Sequence, residues 1–443
     1  MADKGKEVNV QLNNRTTQYL TGLYNASGYI QSVERLNRFK KLQNYTAFFF
    51  NIKGFGNINK KYGSKEGDEI IKRYAMKLKA FVQKDEYLGH LGEDDFVALI
   101  LKARRDMFLY FLSRVGVTAT DKDRQKEQVF LSASVGMWDI DEEVEDAREV
   151  INRPSVALIH ARYILHQSSA LASTDMINKD NEKKTIIENF RTALENEEFL
   201  VFYQPKVDSR KRCLVGAEGL VRWKHDGEMV SPGAFIPPLE QSGEILFLDY
   251  YVLQKACLDI RKWIDEGIEP VRISVNFSRK DLADRELPDN INHIIQEFGV
   301  DKDLIEIEVT ETVDDVEHGI LADFINRLHE LGIMTAIDDF GSGYSSLSTL
   351  REFEVHTLKI DRSFINTDDF SWKDEIILMN IITMAKQLGI EVLTEGVERE
   401  DQLSFVNNAG CDVIQGFYFD RPLPEEDFRK RLKNKKYRRR YAR

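Results

Sequence analysis

The sequence predicts an α/β protein of two domains, an N-terminal α/β sandwich followed by a (β/α)8 barrel. Three observations carry this prediction. At 443 residues the chain is too long for one ordinary hydrophobic core, so two domains are the default. Its first part interleaves apolar runs of strand length with segments of helical spacing. From residue 199 short apolar runs recur between helical segments across about 230 residues, the alternation expected of a (β/α)8 barrel. The composition is globular: 42% hydrophobic and 31% charged.

The elements follow in order. Tyr45 to Ile52 (YTAFFFNI) is an apolar, aromatic run of strand length, Glu66 to Val82 has helical apolar spacing, and Asp95 to Leu101 reads as a strand. Val129 to Ile140 (VFLSASVGMWDI) alternates as one further strand, and Ala147 to Leu165 is helical in pattern. Elements of these lengths imply a sheet covered by helices, a domain of residues 1–170. The polar stretch from Ser168 to Lys184 (SSALASTDMINKDNEKK) supplies the boundary, with 171–184 as linker running into helix formers from Thr185. In the barrel domain, 185–430, the strand candidates are Phe199 to Val207, Leu214 to Trp223, Val271 to Phe277 and Leu304 to Val309. Ile333 to Ile337, Thr357 to Ile360, Glu391 to Thr394 and Asp412 to Phe417 complete the set. A basic tail, 431–443, ends in KNKKYRRRYAR.

The formal net charge of −12 argues against a general nucleic-acid binder, because duplex binding needs many phosphate-neutralising cations. An acidic protein still binds a small anionic nucleotide where metal ions offset the local charge. Cys213, Cys257 and Cys411 lie far apart and form no CxxC pattern. Neither a disulfide framework nor a zinc site is expected, and a reducing compartment fits. No run approaches the ~20 apolar residues of a membrane span, and Met1 to Lys6 has no signal-peptide core. A cytoplasmic protein without a membrane span is the expectation.

Several of the later strand candidates end in a charged or amide side chain. VRISVN ends at Asn276, and LIEIE at Glu308 with Glu311 just beyond; IMTAIDD ends at Asp338 and Asp339. TLKID carries Lys359 and Asp361, EVLTE ends at Glu395, and Glu218 sits within LVGAEGLVRW. In a parallel barrel the C-terminal strand ends converge on one rim. Acidic groups crowded there repel and are partly protonated. Divalent cations relieve that crowding, and oxygen ligands favour Mg2+ or Mn2+. Any single carboxylate here is as readily a helix cap or an ion-pair partner. Arrival at the same structural phase in successive units points instead to a shared site.

The motifs then become specific. YQPKVD (Tyr203 to Asp208), AEGLVRW (Ala217 to Trp223), SPGAFIP, SVNFS, EVTET, DDFGSGYSSL (Asp338 to Leu347), LKIDRSFI, TEGVE and QGFYFDRPLP occur in this order. With them the second half, Thr185 to Arg429, resembles an EAL-family cyclic-di-GMP phosphodiesterase domain. The departure is in the naming motif itself, where Glu218-Gly219-Leu220 replaces Glu-Ala-Leu. It deletes no functional group, but a glycine loosens the backbone and leaves room for Glu218 to shift.

The resemblance implies roles. Glu218, Asn276, Glu308 and Asp338 ligate one metal, and Asp338 bridges to a second that Asp339 also holds. Lys359 orients the attacking water and Glu395 is the general base; with Glu218 they form the catalytic set. Two such metals clamp the attacking and leaving oxygens of an in-line displacement. Arg222 meets a substrate phosphate, as a guanidinium fork suits phosphate oxygens, and Gln204, Glu398 and Gln415 line the substrate groove. Glu311 with the loop containing Gly341, Ser342 and Gly343 is similar to the family's regulatory loop, which couples dimerisation of the barrel to metal placement. A homodimer through this domain is implied.

The first half resembles a GGDEF (diguanylate cyclase) domain over about residues 18 to 167, a nucleotidyl-cyclase-like fold, on LTGLYN (Leu20 to Asn25), FNIKGFGNINKKYGSKEGDEII and HLGEDDF (His90 to Phe96). Its departures imply lost synthesis. Asn51 stands at the first metal aspartate, and the signature has become Gly92-Glu93-Asp94-Asp95-Phe96. The upstream inhibitory Arg-x-x-Asp is replaced by Gln83 and Glu86. Asn59 and Asp68 remain at positions matching guanine contacts, so GTP sensing or dimerisation is the implied role. Three readings of the whole chain follow: a metal-dependent phosphodiesterase, a nonenzymatic receptor of cyclic di-GMP, or a scaffold touching RNA or anionic membrane through its basic tail. The complete ligand set favours the enzyme.

Overall fold

The computed structural model describes residues 16–121, 124–141, 143–282, 284–311, 315–341, 351–365 and 372–437. The chain divides into two compact units, at Glu182 and Lys183.

The first unit holds β1 (Tyr45–Ile52), β2 (Tyr87–Gly92), β3 (Asp95–Leu101), β4 (Val115–Thr120), β5 (Lys126–Leu131), β6 (Ala133–Asp139) and β7 (Ser169–Leu171). Five of these form a sheet in the order β2-β3-β1-β6-β7, and β4 pairs with β5 as a separate ribbon. The central strand β1 is largely apolar because both its faces are covered. Phe48, Phe50 and Ile52 pack with Phe96, Tyr74 and Phe108 on one side, while Tyr45 and Ala47 pack with Trp138 and Val97 on the other. Helix Glu149–Tyr163 lies close against the sheet at Gly136, where a methyl group would come within 1.8 Å of the Pro154 carbonyl oxygen.

Two expectations are corrected between Val129 and Glu195. The alternation from Val129 to Ile140 is two strands broken at Ser132: β5 is a largely exposed ribbon strand, whereas β6 is buried over nearly its whole length. The expected linker is structured too. Ser169–Leu171 extends the sheet parallel to β6, and Thr174–Glu195 is one helix that buries only Phe190 and Ala193. Its polarity is that of an exposed helix, with an Asp175–Lys179 pair one turn apart at 2.9 Å.

The second unit contains β8 (Phe199–Asp208), β9 (Leu214–His225), β10 (Glu228–Val230), β11 (Arg272–Asn276), β12 (Ile305–Thr310), β13 (Met334–Phe340), β14 (Thr357–Ile360), β15 (Glu391–Thr394), β16 (Val413–Gln415) and β17 (Leu423–Pro424). The order β9-β11-β12-β13-β14-β15-β16-β8 closes through pairing of β8 with β9 into an eight-stranded barrel, to which β10 and β17 add as edge strands. The barrel is not uniformly parallel: β8 runs antiparallel to both β9 and β16. A few residues join β8 to β9, and a parallel crossover needs a dozen or more. Between barrel and helices lies an aliphatic shell in which helix Ile245–Asp265 buries Leu248, Val252, Ala256, Ile260 and Trp263.

The basic tail also begins folded. Leu214 N–H donates to Lys435 O at 2.7 Å, and Tyr437 donates to Asp420 at 2.8 Å. No described helix is long and apolar enough to cross a membrane.

Candidate active site

Each of the seven parallel barrel strands delivers one polar side chain to the C-terminal mouth: Glu218 from β9, Asn276 from β11, Glu308 from β12, Asp338 from β13, Lys359 from β14, Glu395 directly after β15 and Gln415 from β16. Alternation sets this up. In β12, Ile305, Ile307 and Val309 join the aliphatic shell, so Glu306 and Glu308 face the interior. Register then holds Glu308 level with Asn276 on one side and Ala336 on the other.

The side chains converge. Glu218, Glu308 and Asp338 each offer an oxygen, all within 4.8 Å of one another. Lys359 Nζ stands among four carboxylates, 2.5 Å from Glu308, 2.7 Å from Glu395, 3.0 Å from Asp338 and 3.5 Å from Glu218. Two amides fix Glu218: Asn276 Nδ2 donates to Oε1 at 2.7 Å and Gln415 Nε2 to Oε2 at 2.6 Å. These bonds hold the carboxylate despite Gly219. A methyl at Gly219 would lie 3.3 Å from Ser274 O and 3.4 Å from Val201 Cγ1, so the missing side chain marks a narrow gap.

Two lysines, Lys359 and the Lys206 beneath Glu308, do not balance four crowded carboxylates. Burial, together with the neighbouring acids, raises Glu218 and Asp338 above the usual carboxylate range despite Lys359. Burial pushes Glu395 up to about 8, again against the pull of Lys359. Glu308 is the exception: burial opposes ionisation there too, but Lys206 and Lys359 together hold it at about 2. A cluster of hard oxygen donors with excess negative charge fits a divalent cation of the Mg2+ or Mn2+ kind.

The other expected residues are spread more widely. Asp339 is exposed at an irregularity between β13 and β14, with φ +55°, and its N–H donates to the Asp338 carboxylate at 2.8 Å. It lies outside the tight three-oxygen group; partial burial of the carboxyl itself and the charge of Asp361 raise it. Gln204 pairs with Glu218 in register across β8 and β9. Arg222, half-buried, lies over Phe202 and lines a cavity of 370 Å3 with Gly219, Asn276, Asp249, Ser278 and Thr310. Glu398 is exposed, and its N–H donates to Gln402 at 2.8 Å. Glu311 N–H donates to Asp338 O at 3.4 Å. Gly341 has φ +94°, and a Cβ there would meet the Phe364 ring at 2.1 Å, so only glycine fits. Ser342 and Gly343 lie outside the described residues.

Sequence reasoning missed the layer beneath. Lys206 and Glu306 are buried in the barrel interior directly below Glu308. Their signal was present in YQPKVD and LIEIE, as charges at inward positions of otherwise apolar strands.

In the first unit, Asn51 lies opposite Asp95 in register and accepts from Arg162 at 3.2 Å. Burial raises both Asp94 and Asp95. Glu93 adopts φ +46°, a left-handed conformation that costs a non-glycine residue about 1 kcal/mol. Asn59 Oδ1 is buried with no hydrogen-bond partner, and Asp68 is exposed on helix Ser64–Phe81. Glu86 is internal, accepting from Gln83 N–H at 2.9 Å and pairing with Arg104.

A closed barrel with seven consecutive strands feeding carboxylates, amides and a lysine into one mouth, and a sheet-and-helix unit before it, defines a barrel protein with an oxygen-rich polar site. The EAL domain profile matches residues 187–422, more than half the chain, and the chain belongs to that family. A second profile, diguanylate cyclase, GGDEF domain, matches residues 16–163. The signaling protein YkoW of Bacillus subtilis is 32% identical over 92% of this chain and 52% of its own length. From Pseudomonas aeruginosa, the bifunctional diguanylate cyclase/cyclic di-GMP phosphodiesterase MucR is 30% identical over 86% of this chain and 56% of its own. The cyclic di-GMP phosphodiesterase NbdA of the same species is 29% identical over 96% and 57%. The chain thus spans little more than half the length of these relatives. The solved MucR phosphodiesterase, in complex with c-di-GMP, matches with TM-score 0.51 at 34% identity over 55% of this chain and 99% of that one.

Proposed function

We propose that the barrel hydrolyses cyclic di-GMP to linear pGpG and depends on Mg2+ or Mn2+, two per active site. One observation carries the reading: three carboxylate oxygens from three strands lie within 4.8 Å of one another, beside Lys359 and Glu395. Glu218, Asn276, Glu308 and Asp338 would hold one cation, and Asp338 with Asp339 the other. When bound, such ions stabilise charge on phosphoryl oxygens and acidify water. Lys359 directs positive charge to the phosphate and orients the attacking water. Glu395, its proton affinity raised by burial, takes the proton of that water. Arg222 binds a phosphate at the edge of its cavity, and Gln204, Glu398 and Gln415 line the groove.

The first unit is regulatory in this reading, a GTP sensor or dimerisation module that does not synthesise. Asn51 bound to Arg162 and the strained Glu93 both work against a cyclase site, while the unpaired Asn59 oxygen and Asp68 remain for a guanine. Glu311, bonded to the backbone of Asp338, ties a regulatory loop to a metal carboxylate. The barrel forms a homodimer.

Purified protein incubated with cyclic di-GMP and Mg2+ is expected to release pGpG, and Glu218→Ala to lose turnover by at least the ~10–100-fold that disturbing a metal ligand's surroundings costs. Equal turnover by both proteins refutes the metal assignment. Binding without turnover in the wild type replaces the enzyme by a receptor.

A further inference from the structure

We infer that Lys206 is a positioning residue, which fixes Glu308 as a cation ligand through one oxygen only. The inference rests on the metal reading above. β8 is the one antiparallel strand of the barrel, and it brings a lysine into an interior that barrels ordinarily fill with branched aliphatic side chains. Lys206 Nζ donates to Glu308 Oε1 at 2.7 Å and to Glu306 Oε2 at 2.9 Å. Glu306 is anchored in turn, accepting from Thr357 Oγ1 at 2.6 Å. A buried polar ladder therefore runs Thr357–Glu306–Lys206–Glu308.

Glu308 has a lysine on each oxygen, and the two are not equivalent. Lys359, on Oε2, also contacts Glu218, Asp338 and Glu395, so it has other carboxylates to move between. Lys206 is buried between two acids, and its departure would leave Glu308 Oε1 and Glu306 Oε2 without the cation each now accepts from. Oε1 is thus committed to Lys206, and Oε2 shares Lys359 with the carboxylates of Glu218 and Asp338. The ladder sets the rotamer of Glu308 and denies it two-oxygen binding. A buried ion pair of this kind is seldom worth more to stability than apolar packing, whereas partners that orient a metal ligand typically govern metal affinity 10–100-fold.

The double variant Lys206→Met, Glu306→Gln tests this, because it removes a cation and an anion together and keeps an acceptor for Thr357. Mn2+ binding to the full chain is measured by electron paramagnetic resonance titration, beside KM and kcat for cyclic di-GMP. The expected result is Mn2+ affinity at least ~10-fold weaker, with KM at saturating Mn2+ close to wild type. A folded double variant with wild-type Mn2+ affinity overturns the inference. Should the double variant not fold, Glu306→Gln alone loosens the anchor of Lys206, and unchanged Mn2+ affinity there overturns it equally. Wild-type protein that binds no Mn2+ brings down the metal reading and this inference with it.

Discussion

Asp249 lies buried on helix Ile245–Asp265, in the wall of the cavity beside Asn276, and accepts the Ser278 N–H at 2.8 Å. Burial pushes its carboxyl well above the usual range, Asp281 and Glu240 add to this, and the Ser278 bond only partly opposes it. An acid raised on folding is penalised when ionised. The penalty is absent below the unfolded value of about 3.9 and grows as pH rises toward the folded value. Asp249→Asn keeps the acceptor and removes the penalty. Its melting temperature is expected to exceed wild type at pH 8 and to match it at pH 4; a lower value at pH 8 would show that the charge itself is needed. The residues at strand ends were legible in the sequence because a carboxylate after an apolar run is conspicuous. Asp339 was less so: an irregularity in strand pairing turns it out of the tight group, and adjacent aspartates carry no mark of it.

Among the elements, Thr357–Ile360 and Glu391–Thr394 have the bounds that their apolar runs define. Strand direction was not legible, because alternation is the same read either way. The antiparallel pairing of β8 with β9 is a feature the expected barrel did not include; the short connection between them is its one sequence mark. Helix Trp372–Gln387 shows what amphipathic spacing leaves over. It buries Leu378, Ile382 and Ala385, yet Trp372 is 67% exposed, Ile376 49% and Met379 43%, spaced one turn apart along one face. A continuous apolar face of this sort marks an interaction surface, and the homodimer proposed through the barrel supplies a second copy to cover it. Sedimentation of the full chain is expected to give a dimer, and Trp372→Glu with Ile376→Glu a monomer. A dimer unaffected by both substitutions would move the interface elsewhere.

At the scale of the whole molecule, each unit has its own buried core, so calorimetry is expected to resolve two unfolding transitions. A ligand stabilises only the unit that binds it, by RT ln(1 + [L]/Kd), about 2.7 kcal/mol at a hundredfold excess over Kd. For a unit of the barrel's size this corresponds to roughly 5–10 °C. Mn2+ is expected to raise the barrel transition alone, because the three-oxygen group lies entirely within that unit, and a chelator should reverse the shift. The two acids raised by burial at the GGDEF signature, Asp94 and Asp95, are the rival site. Asn51 brings no charge to them and Arg162 is already bonded to it, which argues against tight binding there. GTP at millimolar concentration should raise only the other transition. No movement with GTP removes the sensing role and leaves dimerisation, and a Mn2+ shift confined to the first unit would refute the metal site in the barrel.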